Sequence, residues 1–79
     1  MEFNDLRLFL HLVESRNFSK TAVQNHMSPS TLSRQIQRME EELGQMLFLR
    51  DNRQVSLTAA GEKFLPFARQ NWTQWQQLK

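Results

Sequence analysis

The sequence contains no cysteine, which excludes disulfide bonds and thiolate metal sites and is compatible with a reducing cytoplasm, where we expect the protein to act. Its two histidines, His11 and His26, have no partner residues at a ligand spacing, so we expect neither a zinc site nor another cofactor. No apolar run approaches the roughly 18–20 residues of a membrane-spanning helix. The N-terminus also lacks the basic and apolar regions that define a secretory signal.

The sequence also lacks the residue groupings on which catalysis depends. Only two glycines are present, and neither belongs to a phosphate-binding loop. No nucleophile–base pair is visible, and the consecutive acids Glu40, Glu41 and Glu42 would fan over different faces of a helix instead of converging on a substrate. No aromatic-studded strand offers a stacking platform for RNA. We therefore expect neither an enzyme nor an RNA-binding protein.

The composition is that of one small globular domain. Of its 79 residues, 39% are apolar and 23% are charged, which fits a helical fold better than a disordered chain. The net charge is only +2, but the charges are unevenly placed. Every charged residue from Arg16 to Arg38 is basic, whereas most acids lie near the N-terminus or at positions 40–42. A polyanion would therefore meet a locally basic face.

The stretch from Ser28 to Gly44 has the strongest local pattern in the chain. Ser28 suits a helix N-cap, Pro29 its first turn and Gly44 its C-terminal end. An apolar stripe recurs at helical spacing through Leu32, Ile36, Met39 and Leu43. The opposite face begins with hydrogen-bond donors and no acids, at Ser30, Thr31, Ser33, Arg34, Gln35 and Arg38. Such a helix is suited to the DNA major groove, although the alternative is an ordinary amphipathic helix with a solvated face.

Two shorter helices are predicted before this stretch. The first is capped by Asn4 or Asp5 and runs to about Ser15, with a buried stripe of Leu6, Phe9, Leu10 and Val13. The second spans about residues 19–26, is capped by Ser19 and turns Ala22 and Val23 inward. Its link to Ser28 is so short that the two helices must cross steeply, as in a helix-turn-helix. The free amides of its first turn would then face a phosphate.

A β-hairpin is predicted after Gly44, where the apolar pattern changes to alternation. Two short runs, at about residues 46–50 and 54–57, flank the turn residues Asp51, Asn52 and Arg53. A hairpin attached behind a helix-turn-helix is a wing. Arg53 at its tip could enter a minor groove, although it could also be a solvated turn residue.

The last predicted helix is capped by Thr58 and runs to the end of the chain. Its apolar stripe, which we expect to pair two subunits, consists of Phe64, Phe67, Ala68, Trp72, Trp75 and Leu78. The alternative is that this stripe docks on a different protein. Pro66 lies inside the helix and should kink it or delay its regular start. The chain ends without a helix stop signal, so we expect it to be part of a longer protein.

The fold predicted from these elements is mainly α. It comprises a winged helix-turn-helix of three helices and a two-stranded hairpin at residues 1–58, followed by a long linker helix at residues 59–79. The segments FLHLVESRNFSKTA and SPSTLSRQIQRMEEELGQMLFLRDNRQVSLTAAGEKF resemble the N-terminal DNA-binding domain of the LysR-type transcriptional regulators. The matching positions include Leu32-Ser33-Arg34-Gln35-Ile36, Leu43-Gly44, Leu47-Phe48, Arg50, Arg53 and Leu57-Thr58-x-Ala60-Gly61. The resemblance extends over essentially all of the chain.

The resemblance implies a set of DNA contacts. Base edges would be met by Pro29, Ser30, Ser33 and Arg34, and phosphates by Thr31, Gln35 and Arg38. Ser19 and Lys20 would hold the DNA backbone, Arg50 would belong to the same DNA-binding set, and Arg53 would reach the minor groove. The last helix would pair two subunits on an interrupted dyad in double-stranded DNA. It would also lead to an effector-binding domain, through which alone a small molecule would act.

Three positions depart from the usual family pattern. Asn25 replaces an apolar residue, so it must find a backbone partner or loosen the second helix. Pro66 interrupts the linker helix and puts its straightness in question. Pro29 replaces a glutamine and can offer only apolar contact, for which a thymine methyl group is the plausible target. The segments SPSTLSRQIQR and RDNR are, more narrowly, similar to a LysR-type regulator of isoleucine–valine synthesis.

Overall fold

The computed structural model describes residues 1–51 and 54–79. Its elements are α1 (Phe3–Ser15), α2 (Phe18–Gln24), α3 (Pro29–Leu43), β1 (Phe48–Arg50), β2 (Val55–Leu57) and α4 (Ala59–Leu78). This order confirms the predicted mainly α, winged helix-turn-helix architecture with a long last helix. Within the described residues, no helix combines the length and apolarity needed to cross a membrane.

Helix α1 begins earlier than predicted. Its N-cap is Glu2, and Asp5 lies in the first turn, where its carboxylate accepts a hydrogen bond from the Glu2 amide at 3.0 Å. The predicted cap at Asn4 or Asp5 is therefore wrong, because Asp5 closes the turn from inside the helix. The buried face also rotates: Leu8 is fully buried, whereas Leu10 and Val13 are only half-buried at the edge of the core.

Helix α2 is capped by Asn17 and not by Ser19. The Asn17 side chain accepts a hydrogen bond from the Lys20 amide at 2.9 Å. With this earlier start, Thr21 and Ala22 face inward, and Val23, which we expected to be inward, is 75% exposed. The face is determined by Phe18, which packs against the core three and four residues before those two buried positions.

Asn25 finds polar partners just after α2. Its side-chain amide donates to the Thr21 carbonyl oxygen at 2.8 Å and lies 3.1 Å from His11 Nδ1. The chain then turns through His26, which has a left-handed backbone at φ 57°, and returns with a hydrogen bond from the Met27 amide to the Ala22 carbonyl. The polar residue at this unusual position therefore fastens α2 to α1 instead of loosening it.

Helix α3 has the predicted ends. Ser28 caps it by accepting a hydrogen bond from the Thr31 amide at 3.1 Å, and Gly44 ends it in a left-handed conformation at φ 68°. The predicted stripe is only partly correct, since Leu43 is 37% exposed and Glu40 is buried in its place. Glu40 turns inward because two backbone amides of the following segment need an acceptor there, as described below.

The hairpin is antiparallel, with Phe48 opposite Leu57 and Arg50 opposite Val55. Its strands are three residues each, shorter than the predicted runs. The Gln54 amide donates to Asp51 Oδ1 at 2.8 Å across the turn. The inward sides of the two strands place Phe48 and Val55 in the core.

Helix α4 is capped as predicted by Thr58, whose hydroxyl accepts a hydrogen bond from the Gly61 amide at 3.0 Å. The helix runs without a break through Pro66, so the expected delay of its regular start is wrong. Gly61 is buried where α4 meets the hairpin, and a Cβ atom there would overlap the Leu47 carbonyl oxygen. Only a glycine lets the helix approach this closely.

Aromatic contacts join α4 to α1. Phe64 meets Phe9 edge-on with ring centroids 5.0 Å apart, and Trp75 stacks on Phe3 at 4.6 Å. The N-terminus is also joined to α3, because the Met1 amino group donates a hydrogen bond to the Glu42 carboxylate at 2.6 Å. This hydrogen bond raises the pKa of the Met1 amino group and lowers the pKa of the Glu42 carboxyl.

Candidate nucleic-acid interface

Helix α3 has a buried back and an open front. The side chains of Leu32, Ile36 and Met39 are completely buried in the core. On the front, Pro29, Ser30, Arg34 and Arg38 are exposed, and Thr31, Ser33 and Gln35 are half-exposed. All seven residues that we assigned to DNA on this helix therefore retain accessible surface on one element.

The N-terminal end of α3 presents a group of hydroxyls. Ser28 Oγ donates to Thr31 Oγ1 at 2.9 Å and lies 3.2 Å from Ser30 Oγ. Because hydroxyls both donate and accept hydrogen bonds, this group can meet either a base edge or a phosphate oxygen. One turn further along, Thr31, Arg34, Gln35 and Arg38 line a single shallow groove. The two arginines make this groove cationic.

Arg50 joins the hairpin to the open face of α3. Its Nη1 donates to Ser33 Oγ at 3.0 Å, and its Nη2 lies 3.9 Å from Glu40 Oε1. Its guanidinium also stands over the Phe18 ring, 4.8 Å from the centroid. Sequence reasoning placed Arg50 in the DNA-binding set but did not predict any of these contacts.

Glu40 is the main structural residue of this region that sequence reasoning missed. It is only 4% exposed, and its Oε2 accepts hydrogen bonds from the Leu47 and Phe48 amides at 2.7 and 3.2 Å. From the sequence we treated it only as one of three consecutive acids that fan over different faces of the helix. The signal that could have identified it is its position four residues after Ile36, which places it at the edge of the buried stripe.

The N-terminal end of α2 is less free than predicted. Ser19 and Lys20 are exposed, as a phosphate contact would require. The backbone amide of Lys20, however, is bound by the Asn17 side chain, and that of Thr21 is bound by the Asn17 carbonyl oxygen at 3.1 Å. Two of the three amides that we expected to face a phosphate are therefore already hydrogen-bonded within the chain.

The wing tip is described only at its base, by Asp51 and Gln54. Asn52 and Arg53, including the predicted minor-groove arginine, lie outside the described residues. In the described ranges 1–51 and 54–79, no cluster of three or more histidine or acidic side chains is arranged to hold a metal ion.

The predicted pairing stripe on α4 divides into two parts. Ala68 is completely buried within the chain, and Phe64 is half-buried against Phe9. Phe67 and Leu78 are 49% and 80% exposed. The two tryptophans, Trp72 and Trp75, are half-buried. The stripe therefore packs partly against α1 and leaves an apolar edge free.

The chain matches the family model described as the bacterial regulatory helix-turn-helix protein, lysR family, over residues 3–62. It is 68% identical over all 79 residues to the HTH-type transcriptional activator IlvY of Haemophilus influenzae, and 61% identical to the regulator IlvY of Escherichia coli. The chain spans 27% of the length of each of these relatives.

Solved structures agree with the fold. The DNA-binding domain of BenM, in a complex with its benA site 1 DNA, superposes with a TM-score of 0.93 at 38% identity, over 99% of this chain and 88% of that one. The DNA-binding domain of CbnR in a DNA complex gives a TM-score of 0.92 at 36% identity, over 98% and 88% of the two chains. By sequence and by structure, the chain belongs to the LysR family of bacterial regulatory helix-turn-helix proteins.

Proposed function

We propose that this chain is the sequence-specific, double-stranded-DNA-binding part of a cytoplasmic transcription regulator, associated with the nucleoid when bound. The observation that supports it best is the two-sided character of α3, with a completely buried apolar back and a front of donors that contains no acid before Glu40. A helix supported in this way can enter a major groove without disturbing the core.

The proposed contacts follow the exposed surface of α3 and its neighbours. Base edges are met by Pro29, Ser30, Ser33 and Arg34, and phosphates by Thr31, Gln35, Arg38, Ser19 and Lys20. Arg53 reaches the minor groove from the wing, and Arg50 belongs to the same surface. Affinity then comes largely from charge contacts and depends on salt, whereas specificity comes from the few base contacts.

The proposed division of the chain assigns DNA binding to residues 1–58 and subunit pairing to residues 59–79. Two copies paired through α4 would bind an interrupted dyad, because a two-fold dimer matches a two-fold site. Small-molecule control would require a domain beyond this chain. The identity with IlvY, together with the segments SPSTLSRQIQR and RDNR, supports a target gene in branched-chain amino acid synthesis.

Binding-site selection from random duplexes, followed by footprinting, tests this function. We expect an enriched site with two-fold symmetry and two protected half-sites about one helical turn or a multiple apart. Failure to enrich any sequence at low salt would contradict the proposal.

A second candidate, a protein-interaction module, is favoured by the exposed apolar edge of α4 at Phe67 and Leu78. Sedimentation equilibrium distinguishes the two. Self-association through α4 supports the DNA-binding dimer, and a stable monomer that fails to bind DNA supports a different protein partner.

A further inference from the structure

Arg50 occupies an unusual position for a residue expected to contact DNA. It ends β1, and its side chain extends back across the hairpin to α3. Three groups from two other elements surround its guanidinium: Ser33 Oγ, Glu40 Oε1 and the ring of Phe18. The Arg50 side chain is only 31% exposed. An arginine side chain that moves freely to reach a phosphate would have few of these contacts.

Glu40 makes this position rigid. Its Oε2 is occupied by two backbone amides, so the carboxylate cannot rotate without breaking both hydrogen bonds. Its Oε1 is buried and accepts no hydrogen bond from the described residues, and the nearest opposite charge is the Arg50 guanidinium at 3.9 Å. Glu40 and Ser33 lie seven residues apart on α3, which places them two turns apart on one face. The arginine therefore lies along that face between Ser33 and the restrained Glu40 carboxylate.

The chemistry of the two side chains determines which of them accepts this hydrogen bond. A guanidinium only donates hydrogen bonds, so Ser33 Oγ must accept the bond from Arg50. The one hydroxyl hydrogen of Ser33 then remains available to donate elsewhere. Without Arg50, both lone pairs of Ser33 Oγ would be free to accept a hydrogen bond from a base; with it, only one is.

We propose that Arg50 is a positioning residue for Ser33: it accounts for base discrimination by occupying one acceptor lone pair of Ser33 Oγ and directing the hydroxyl hydrogen away from itself, without itself contacting a phosphate. This inference rests on the proposed function, in which Ser33 faces base edges. A fixed donor favours bases that present acceptors in the major groove, which are guanine, adenine N7 and thymine O4. It favours cytosine less, because the N4 group only donates and only one lone pair of Ser33 Oγ remains to accept from it.

The test uses the whole chain with its selected duplex and a scrambled duplex, and four variants: Arg50→Met, Arg50→Lys, Ser33→Ala and the double variant Arg50→Met/Ser33→Ala. Affinity for both duplexes is measured over a range of salt concentrations, and thermal unfolding checks the fold. Lysine keeps the charge of Arg50 but loses the planar two-nitrogen fork that spans Ser33 and Glu40.

We expect Arg50→Met, Arg50→Lys and Ser33→Ala each to reduce the preference for the selected duplex by about three- to tenfold, the range for one net hydrogen bond. The double variant should lose no more than either single change, because both remove the same directed donor. The slope of affinity against salt should not change in any of them.

A direct phosphate contact predicts the opposite pattern. Arg50→Met would then lower the salt slope by about one and weaken both duplexes alike, and Arg50→Lys would be nearly silent. That result would overturn the positioning role while leaving the proposed function intact. If the unaltered chain prefers no duplex at all, the proposed function fails, and the inference fails with it. Should Arg50→Met unfold, Arg50→Lys and Ser33→Ala still decide the question.

Discussion

Arg34 is the residue on which base recognition depends most in our proposal. It is exposed on the front of α3 and lines a groove with Thr31, Gln35 and Arg38. Its planar guanidinium can donate two parallel hydrogen bonds from a rigid fork to the acceptors of a guanine, which a serine with its single hydroxyl hydrogen cannot do.

We predict that Arg34→Ala lowers the affinity for the selected site by about 1–3 kcal/mol and relaxes the preference at one base pair. Arg69→Ala, which removes an exposed arginine from α4, is the control for loss of charge alone. Titration against the selected duplex and its single-base variants measures both effects. Equal losses on all the duplexes would show that Arg34 contacts only phosphate.

Glu40 shows how a charged residue can be structural. Its buried carboxylate satisfies the Leu47 and Phe48 amides at the point where the chain leaves α3 and enters the hairpin. No other carboxylate in the described residues accepts hydrogen bonds from this pair of amides. Burial of a polar backbone group without an acceptor is costly, so this acid determines the path of the chain.

We predict that Glu40→Ala lowers the free energy of unfolding by on the order of 3 kcal/mol, because two buried amides lose their acceptor. Glu41→Ala, at the next and exposed position, should change it by less than about 0.5 kcal/mol. Urea unfolding followed by circular dichroism compares them. Similar small losses in both variants would mean that water replaces the carboxylate.

At the scale of elements, the close contact between α4 and the hairpin depends on Gly61. An alanine there would normally favour the helix by roughly 1 kcal/mol. The added Cβ would overlap the Leu47 carbonyl oxygen, which belongs to the backbone and cannot shift freely, and would lie 2.8 Å from the side-chain atom Leu57 Cδ2.

We therefore predict that Gly61→Ala lowers the free energy of unfolding by about 1–3 kcal/mol, the range for overpacking a tight contact. Lys63→Ala, two residues later and exposed, is the control for an alanine in the same helix. Thermal and urea unfolding measure the difference. Stabilisation by Gly61→Ala would contradict the contact described here.

Sequence reasoning succeeded for the elements whose ends and periodicity agree. Helix α3 has a cap, a proline, a stripe and a glycine that all define the same boundaries, and both ends were confirmed. Helix α2 is seven residues long, too short for its periodicity to choose between caps at Asn17 and Ser19. Because we chose Ser19, we wrongly expected the Lys20 amide to be free. The same short periodicity led us to predict Val23 as buried, although it is exposed.

Tertiary contacts could not be derived from local pattern. The burial of Glu40 depends on amides seven and eight residues later, and the bond from Arg50 to Ser33 spans 17 positions. Likewise, the aromatic residues of α4 predicted an apolar stripe that would pair two subunits. Only the fold shows that Phe64 and Ala68 face α1 within the same chain.

At the scale of the whole molecule, the free apolar edge of α4 is the candidate surface for subunit pairing. We predict that Phe67→Glu raises the dimer dissociation constant about tenfold or more. A half-exposed aromatic side chain in an interface between two helices typically contributes much of the binding free energy. Gln76→Glu adds the same charge nine residues later, on the opposite side of the helix, and should leave the constant nearly unchanged. Sedimentation equilibrium measures both.

The loss of pairing should also change the binding isotherm, since a monomer can hold only one half-site at a time. A Phe67→Glu variant that keeps its fold by thermal unfolding and still dimerises like the unaltered chain would place the interface elsewhere. Trp72 and Trp75, which are half-buried on the same helix, would then be the next positions to alter.

The most direct test of DNA reading by α3 is a titration of the isotopically labelled chain with its selected duplex, followed by amide chemical shifts. We predict that the largest changes fall on residues 30–38, with smaller ones at Ser19 and Lys20 and at the wing, and little change along the outer face of α4. If the largest changes instead lie on α4 while residues 30–38 stay unmoved, DNA does not bind along this helix.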